Sequence, residues 1–219
     1  MRRTPLLLAL LFALPMAVHA SDHRIPDWSG GDAQVMSHSP GGPVLLGQIA
    51  ADGTVTLDLP ASPPKPQSLG QTFPSCREDG APIATPEDTA VVPTSLFAMR
   101  AGKELGSLYL ATDEAVVAWR ASWGQGETPL GAWMQWVHVD QAATVVAECV
   151  QTTYTDPEAT DAYPQTTQYN LTLAPGWNLL RFSITSLHAD PTGRNHPRLT
   201  EVEALSAAPE DAQWYFEAN

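Results

Sequence analysis

Basic side chains are what this sequence has least of. Eleven Lys and Arg stand against 24 Asp and Glu, giving a formal charge of −13. Lys65 and Lys103 are the only lysines, and no basic run follows Arg2 and Arg3. Nucleic-acid binding needs clustered Lys and Arg, because release of condensed counterions supplies most of the affinity. A nucleic-acid partner is therefore excluded, and an anionic membrane surface repels the chain for the same reason. Charge of either sign is scarce, at 16% of residues against a globular norm of about 25%. Thr, Ser, Gln and Pro supply the polarity instead, a mixture common in exported β proteins.

Long apolar runs are missing after the first twenty residues. Leu6 to Val18 is almost wholly apolar, broken by Pro15, but it falls short of the roughly 20 residues that span a bilayer. It follows Arg2-Arg3 and leads to Val18-His19-Ala20, small or modest residues at the positions a signal peptidase reads. Charged start, apolar run and small-residue exit predict a signal peptide over 1–20, cleaved after Ala20. Its loss takes the charge from −13 to −15. No cysteine stands at the expected cleavage site, so no lipid anchor is expected. With no later membrane segment, the expected location is secreted or periplasmic.

Catalytic signatures are missing too. There is no G-x-S-x-G elbow, no H-E-x-x-H and no glycine-rich phosphate cradle. The expectation is a protein that is not an enzyme, with no catalytic residues and no cofactor. Two H-x-D pairs, His138/Asp140 and His188/Asp190, would put imidazole and carboxylate on one strand face as a zinc site needs. His196 with Glu201 or Glu203 would complete such a shell. Both aspartates fall where turns are predicted, which explains them without a metal. Asp156, Glu158 and Asp161 share one loop, but no calcium-binding loop pattern is present. No metal site is assigned.

Cysteine is reduced to one pair, Cys76 and Cys149. In an oxidising compartment such a pair predicts a disulfide rather than a metal site or a catalytic thiol. Closing a loop of this length is worth about 4 kcal/mol in the chain-entropy account.

What the chain does have is β pattern and turn chemistry. Residues 21–42 are rich in Gly, Ser, Asp and Pro and read as an irregular leader, with at most a short strand around Gln34-Val35-Met36. Residues 44–49 and 54–59 flank Asp52-Gly53, a hairpin signal with Val55, Leu57 and Leu59 on one face. Residues 60–93 carry eight prolines, so neither a helix nor a central strand runs through them. They form either an ordered loop pinned by Cys76 or a linker. Beyond Thr94, strands are expected at Leu108-Tyr109-Leu110, over 115–123, over 133–139 with 143–152 as its partner, and over 167–173 with 177–184 returning after Ala174-Pro175-Gly176. Short strands at this spacing, with no sustained helical period, predict an all-β antiparallel sandwich or partly open barrel over 43–219, or two packed β subdomains.

Tryptophan is in excess: seven residues, with Trp119, Trp123, Trp133 and Trp136 inside eighteen positions. On a strand over 115–123, Trp119 and Trp123 share the apolar face and belong to the core. Trp133 and Trp136 differ by an odd number and face opposite sides. They are the candidate ligand-binding residues, since an exposed indole stacks on a sugar ring.

Two stretches carry a resemblance. Gly47-Gln48-Ile49-Ala50-Ala51-Asp52-Gly53-Thr54-Val55-Thr56-Leu57-Asp58-Leu59-Pro60 resembles a strand pair near the start of many exported bacterial proteins. Trp136-Val137-His138-Val139-Asp140, with Tyr169-Asn170-Leu171-Thr172-Leu173-Ala174-Pro175-Gly176-Trp177-Asn178, resembles their later half. The likeness is to uncharacterised exported or lipid-anchored β proteins of Deinococcus-type bacteria and covers about a quarter of the chain. It implies export and transfers no activity. The expectation is a non-enzymatic exported β protein with a structural or binding role toward an envelope or extracellular ligand. The alternative is a carbohydrate-directed protein, either a binding module or a weak glycan hydrolase.

Overall fold

The computed structural model describes residues 24–38, 42–61, 63, 66–156, 158 and 160–219. The expected signal peptide, 1–20, lies outside the described residues. The first strands are β1 (Ala33–Ser37), β2 (Val44–Ile49) and β3 (Val55–Leu57). The proline-rich stretch holds β4 (Gln67–Ser68), the single turn α1 (Leu69–Thr72), β5 (Ala84–Thr85) and β6 (Ala90–Pro93). Then come β7 (Leu96–Arg100), β8 (Lys103–Ala111), α2 (Glu114–Ala121) and β9 (Gly131–Val139). The long strands β10 (Ala143–Tyr154), β11 (Ala162–Leu173), β12 (Gly176–Ala189) and β13 (Asn195–Leu205) precede β14 (Gln213–Ala218).

The fold is all-β and sandwich-like. One open sheet runs β3-β2-β1-β7-β8-β9-β12-β13-β11-β10-β5, with β14 beside β8 and β6 joining β9 to β4. It is mixed rather than purely antiparallel, because β13 lies parallel to β11. The β2–β3 hairpin forms where Asp52-Gly53 predicts it. Gly53 takes φ 89°, a left-handed conformation that glycine adopts without steric cost.

Two strands face two cores. On β9, Ala132, Met134 and Trp136 enter a first core with Val35, Leu46, Leu108, Leu110 and Trp214. Val137 and Val139 point the other way, into a second core with Val145, Leu171, Leu173 and Leu180. Leu179 and Leu180 on β12 divide in the same manner. Strands buried on both faces tend toward apolar runs rather than strict alternation, and the adjacent apolar pairs Trp136-Val137 on β9 and Leu179-Leu180 on β12 show this locally.

Several expectations are corrected. The strand read over 115–123 is the helix α2: Asp113 caps it by accepting from Ala115 N at 2.7 Å, and only Val116 and Val117 are fully buried. The short strand expected around Gln34-Val35-Met36 is present as β1, by contrast, with Val35 fully buried between β2 and β7 and Ile25 beside it in the first core. Strands β9 and β10 are not partners. Three strands separate them, and β10 pairs with β11 and β5. The Ala174-Pro175-Gly176 turn does not close a hairpin either, because β13 inserts between β11 and β12. Within the 60–93 stretch, the described residues Leu69, Phe73, Ile83, Ala84 and Val91 are buried in the second core and cover it.

Candidate functional site: an aromatic groove beside the second helix

The helix α2 packs Val116 and Val117 against Ala111, with Tyr109, Trp133 and Tyr215 at the margin. Strand β8 pairs with β7 along its first half and with β9 only at Leu110 and Ala111. Neighbouring strands therefore part around Tyr109. A groove of about 850 Å³ opens there, with Trp119, Arg120 and Trp123 on one wall and Tyr109, Trp133 and Gln135 among its other lining residues.

The end of α2 shapes that wall. The backbone N–H of Trp123 donates to Arg120 O and that of Gly124 to Trp119 O, and both residues adopt left-handed φ, 57° and 79°. For glycine this is free, whereas a side chain there costs about 1–2 kcal/mol. The turn leaves the Trp123 indole 91% exposed. Trp123 was expected in the core, so this is a reversal. Its cause is the helix, which carries the chain outward where a strand would have kept it in the sheet.

Trp133 lies half-buried on the groove face. Its ring stacks on Phe182 at 5.1 Å and 5°, the Arg120 guanidinium carbon lies 4.6 Å from its centroid, and Trp119 tilts against it at 5.9 Å. Partial burial lowers the Arg120 pKa below the ordinary arginine value, while the nearby Tyr109 acts weakly the other way. Arg120 is in no ion pair among the described residues. The Trp119 Nε1–H is buried and has no acceptor, a deficit of about 1–3 kcal/mol.

Trp136, the other candidate, is 3% exposed and stacks on Trp214 at 5.7 Å and 6°. It borders the groove from the core side. Sequence reasoning put the two indoles on opposite sides without choosing between them; Trp133 is the half-buried one, with Phe182 and Arg120 against its ring. The same reasoning missed Arg120 as a groove residue. The signals that could have found it were Asp113 as a cap, Glu114 in the first turn and Arg120 in the last, which are helix-end preferences.

The histidines are brought together, but not as the H-x-D pattern suggests. His138 Nε2 lies 3.2 Å from Ala61 O, and burial lowers its pKa. Asp140 instead accepts from Ala90 N at 2.9 Å. His188 and His196 face each other across β12 and β13, each on a different carboxylate: His188 with Asp161 at 3.0 Å, His196 with Asp190 at 3.1 Å. Tyr163 stacks on His188 at 4.3 Å. Asp156 accepts from Thr160 N and Asp161 N within its own loop. Among the described residues no three His, Cys, Asp or Glu side chains are grouped to hold a metal ion.

Cys76 and Cys149 form a disulfide with Cα atoms 5.3 Å apart, which removes the catalytic-thiol reading. It ties the 60–93 cover to the middle of β10. No described helix is long and apolar enough to cross a membrane. Compared with protein-family models, with curated proteins and with solved structures, the chain matches none.

Proposed function

We propose that the chain is an exported, non-enzymatic binding protein of the cell envelope or extracellular space, and that its ligand sits in the groove beside α2. One observation carries this reading: an indole 91% exposed at the rim of an aromatic-lined groove. Water-exposed tryptophan gains little for folding, and the left-handed turn beneath it adds cost. Contact with a ligand is what gives such a residue a role. Export is supported by the sequence of 1–20 and by a disulfide, which persists in oxidising compartments.

A carbohydrate ligand is the second reading, favoured by the free indole face of Trp123. Aromatic rings take the apolar face of a sugar while polar groups at the rim read its hydroxyls. Gln135 and Asn219 line the same groove. Tryptophan-fluorescence titration of the purified protein with soluble glycans tests both readings. Trp123→Ala is expected to weaken binding at least tenfold while shifting the melting temperature by less than about 2 °C, because its side chain is already in water. Unchanged binding by this variant would remove the groove as the ligand site.

A further inference from the structure

Arg120 is in the wrong company for a protein of this composition. With 24 acidic side chains against 11 basic ones, a surface guanidinium has many carboxylates available as partners. Arg24, Arg77 and Arg181 each pair with one, while Arg100 and Arg194 donate to backbone carbonyls instead. Arg120 pairs with none among the described residues. It lies instead on the Trp133 ring, 4.6 Å from the centroid, on the groove wall between Trp119 and Trp123.

Arg120 brings donors to this end of the groove. The guanidinium offers five N–H groups and no acceptor. The Trp119 Nε1–H beside it is also unmet, but it is buried beneath the groove wall. Stacking on a ring leaves the edge of the guanidinium open, and that edge is the part that grips a carboxylate with two parallel hydrogen bonds. Glu217 lines the groove as well, at the end of β14, and carries the opposite sign. His38 and Tyr109 are the other titratable side chains lining it.

We propose that the groove takes an anionic saccharide, one bearing a carboxylate on its ring, with Arg120 binding the charge and Trp123 the ring face. This rests on the carbohydrate reading above and adds the sign and the position of the charge. The chain as a whole repels anions, so recognition is by short-range pairing at Arg120 rather than by long-range attraction.

The test is calorimetric titration of the full exported protein with a short oligogalacturonate and with its methyl ester, which has the same rings without the charge. The acid form is expected to bind at least tenfold more tightly than the ester, a loss typical of one charge-assisted contact. Arg120→Gln should abolish that preference while leaving ester binding within about threefold. Trp123→Ala should weaken both forms. Arg120→Lys, which keeps the charge and the alkyl stem over Trp133, is the control for folding and should keep part of the preference. Equal binding of acid and ester, or a preference that survives Arg120→Gln, overturns the proposal.

If neither sugar binds, the carbohydrate reading has failed and the anion site is judged alone with 8-anilinonaphthalene-1-sulfonate. Tryptophan-to-dye energy transfer that is lost in Arg120→Gln supports an anion site in the groove. Transfer unaffected by that change rejects it.

Discussion

Trp136 and Trp214 stack in the first core with ring centroids 5.7 Å apart, and both are essentially buried, at 3% and 1%. A tryptophan so placed fills volume that neighbours cannot recover. Trp136→Ala is therefore expected to cost about 3–5 kcal/mol, which at roughly 2–4 °C per kcal/mol lowers the melting temperature by on the order of 10 °C. Differential scanning calorimetry measures it. A shift below about 3 °C would mean that the ring is not packed as described. Trp123, thirteen positions earlier, has the opposite character, and its truncation should act on binding alone. Residue type says nothing of this difference. Burial decides it.

At the scale of elements, α2 and the 60–93 cover carry the most. Asp113 caps α2, and Arg120 and Trp123 keep their places only while the helix end holds. Asp113→Ala is expected to cost about 1 kcal/mol and to weaken ligand binding as well, read by thermal melts and titration together. The cover relies on both packing and the disulfide. Leu69 and Val91 are fully buried, and Cys149 anchors Cys76 to β10 across 73 positions of sequence. Cys149→Ser should lower the melting temperature by more than ~5 °C, since a bridge closing so long a loop is worth about 4 kcal/mol in the chain-entropy account. Two thiols titrating in the denatured, unreduced protein would show that the bridge is absent.

The whole molecule is acidic, and several carboxylates are fixed in their charged form. Asp190 is held well below the usual carboxylate range, first by the Thr192 hydroxyl and then by His196 and backbone N–H groups. Asp161 is lowered by His188 and then Thr155, and Asp52 is brought to about 2, chiefly by the Thr54 N–H. A depressed folded pKa means that the fold binds fewer protons than the unfolded chain. That stability is fully present above the unfolded value of about 3.9 and is lost as pH falls through it toward the folded one. Melting temperature should drop between pH 5 and pH 2.5. The double variant Asp161→Asn with Asp190→Asn should start lower at pH 5 and show a shallower fall. Parallel curves for the two proteins would remove these carboxylates as the cause.

Legible in the sequence alone were the β class, the β2–β3 hairpin at Asp52-Gly53, most of β9, the first part of β12, and the pairing of the only two cysteines. These are local or combinatorial facts, set by side-chain alternation, turn chemistry and cysteine count. Sequence reasoning misread α2, because Val116, Val117 and the tryptophans are β-formers by propensity, and helix or strand is decided there by which two residues meet Ala111. Tertiary structure alone decided that β13 separates β11 from β12, that β9 and β10 lie three strands apart, and that the proline-rich stretch lines a core. Strand adjacency is a long-range choice made by whole faces burying together, and a turn is compatible with either outcome. The groove follows from that choice. It exists because β7 and β9 take successive halves of one edge of β8, and no single segment of sequence encodes that parting.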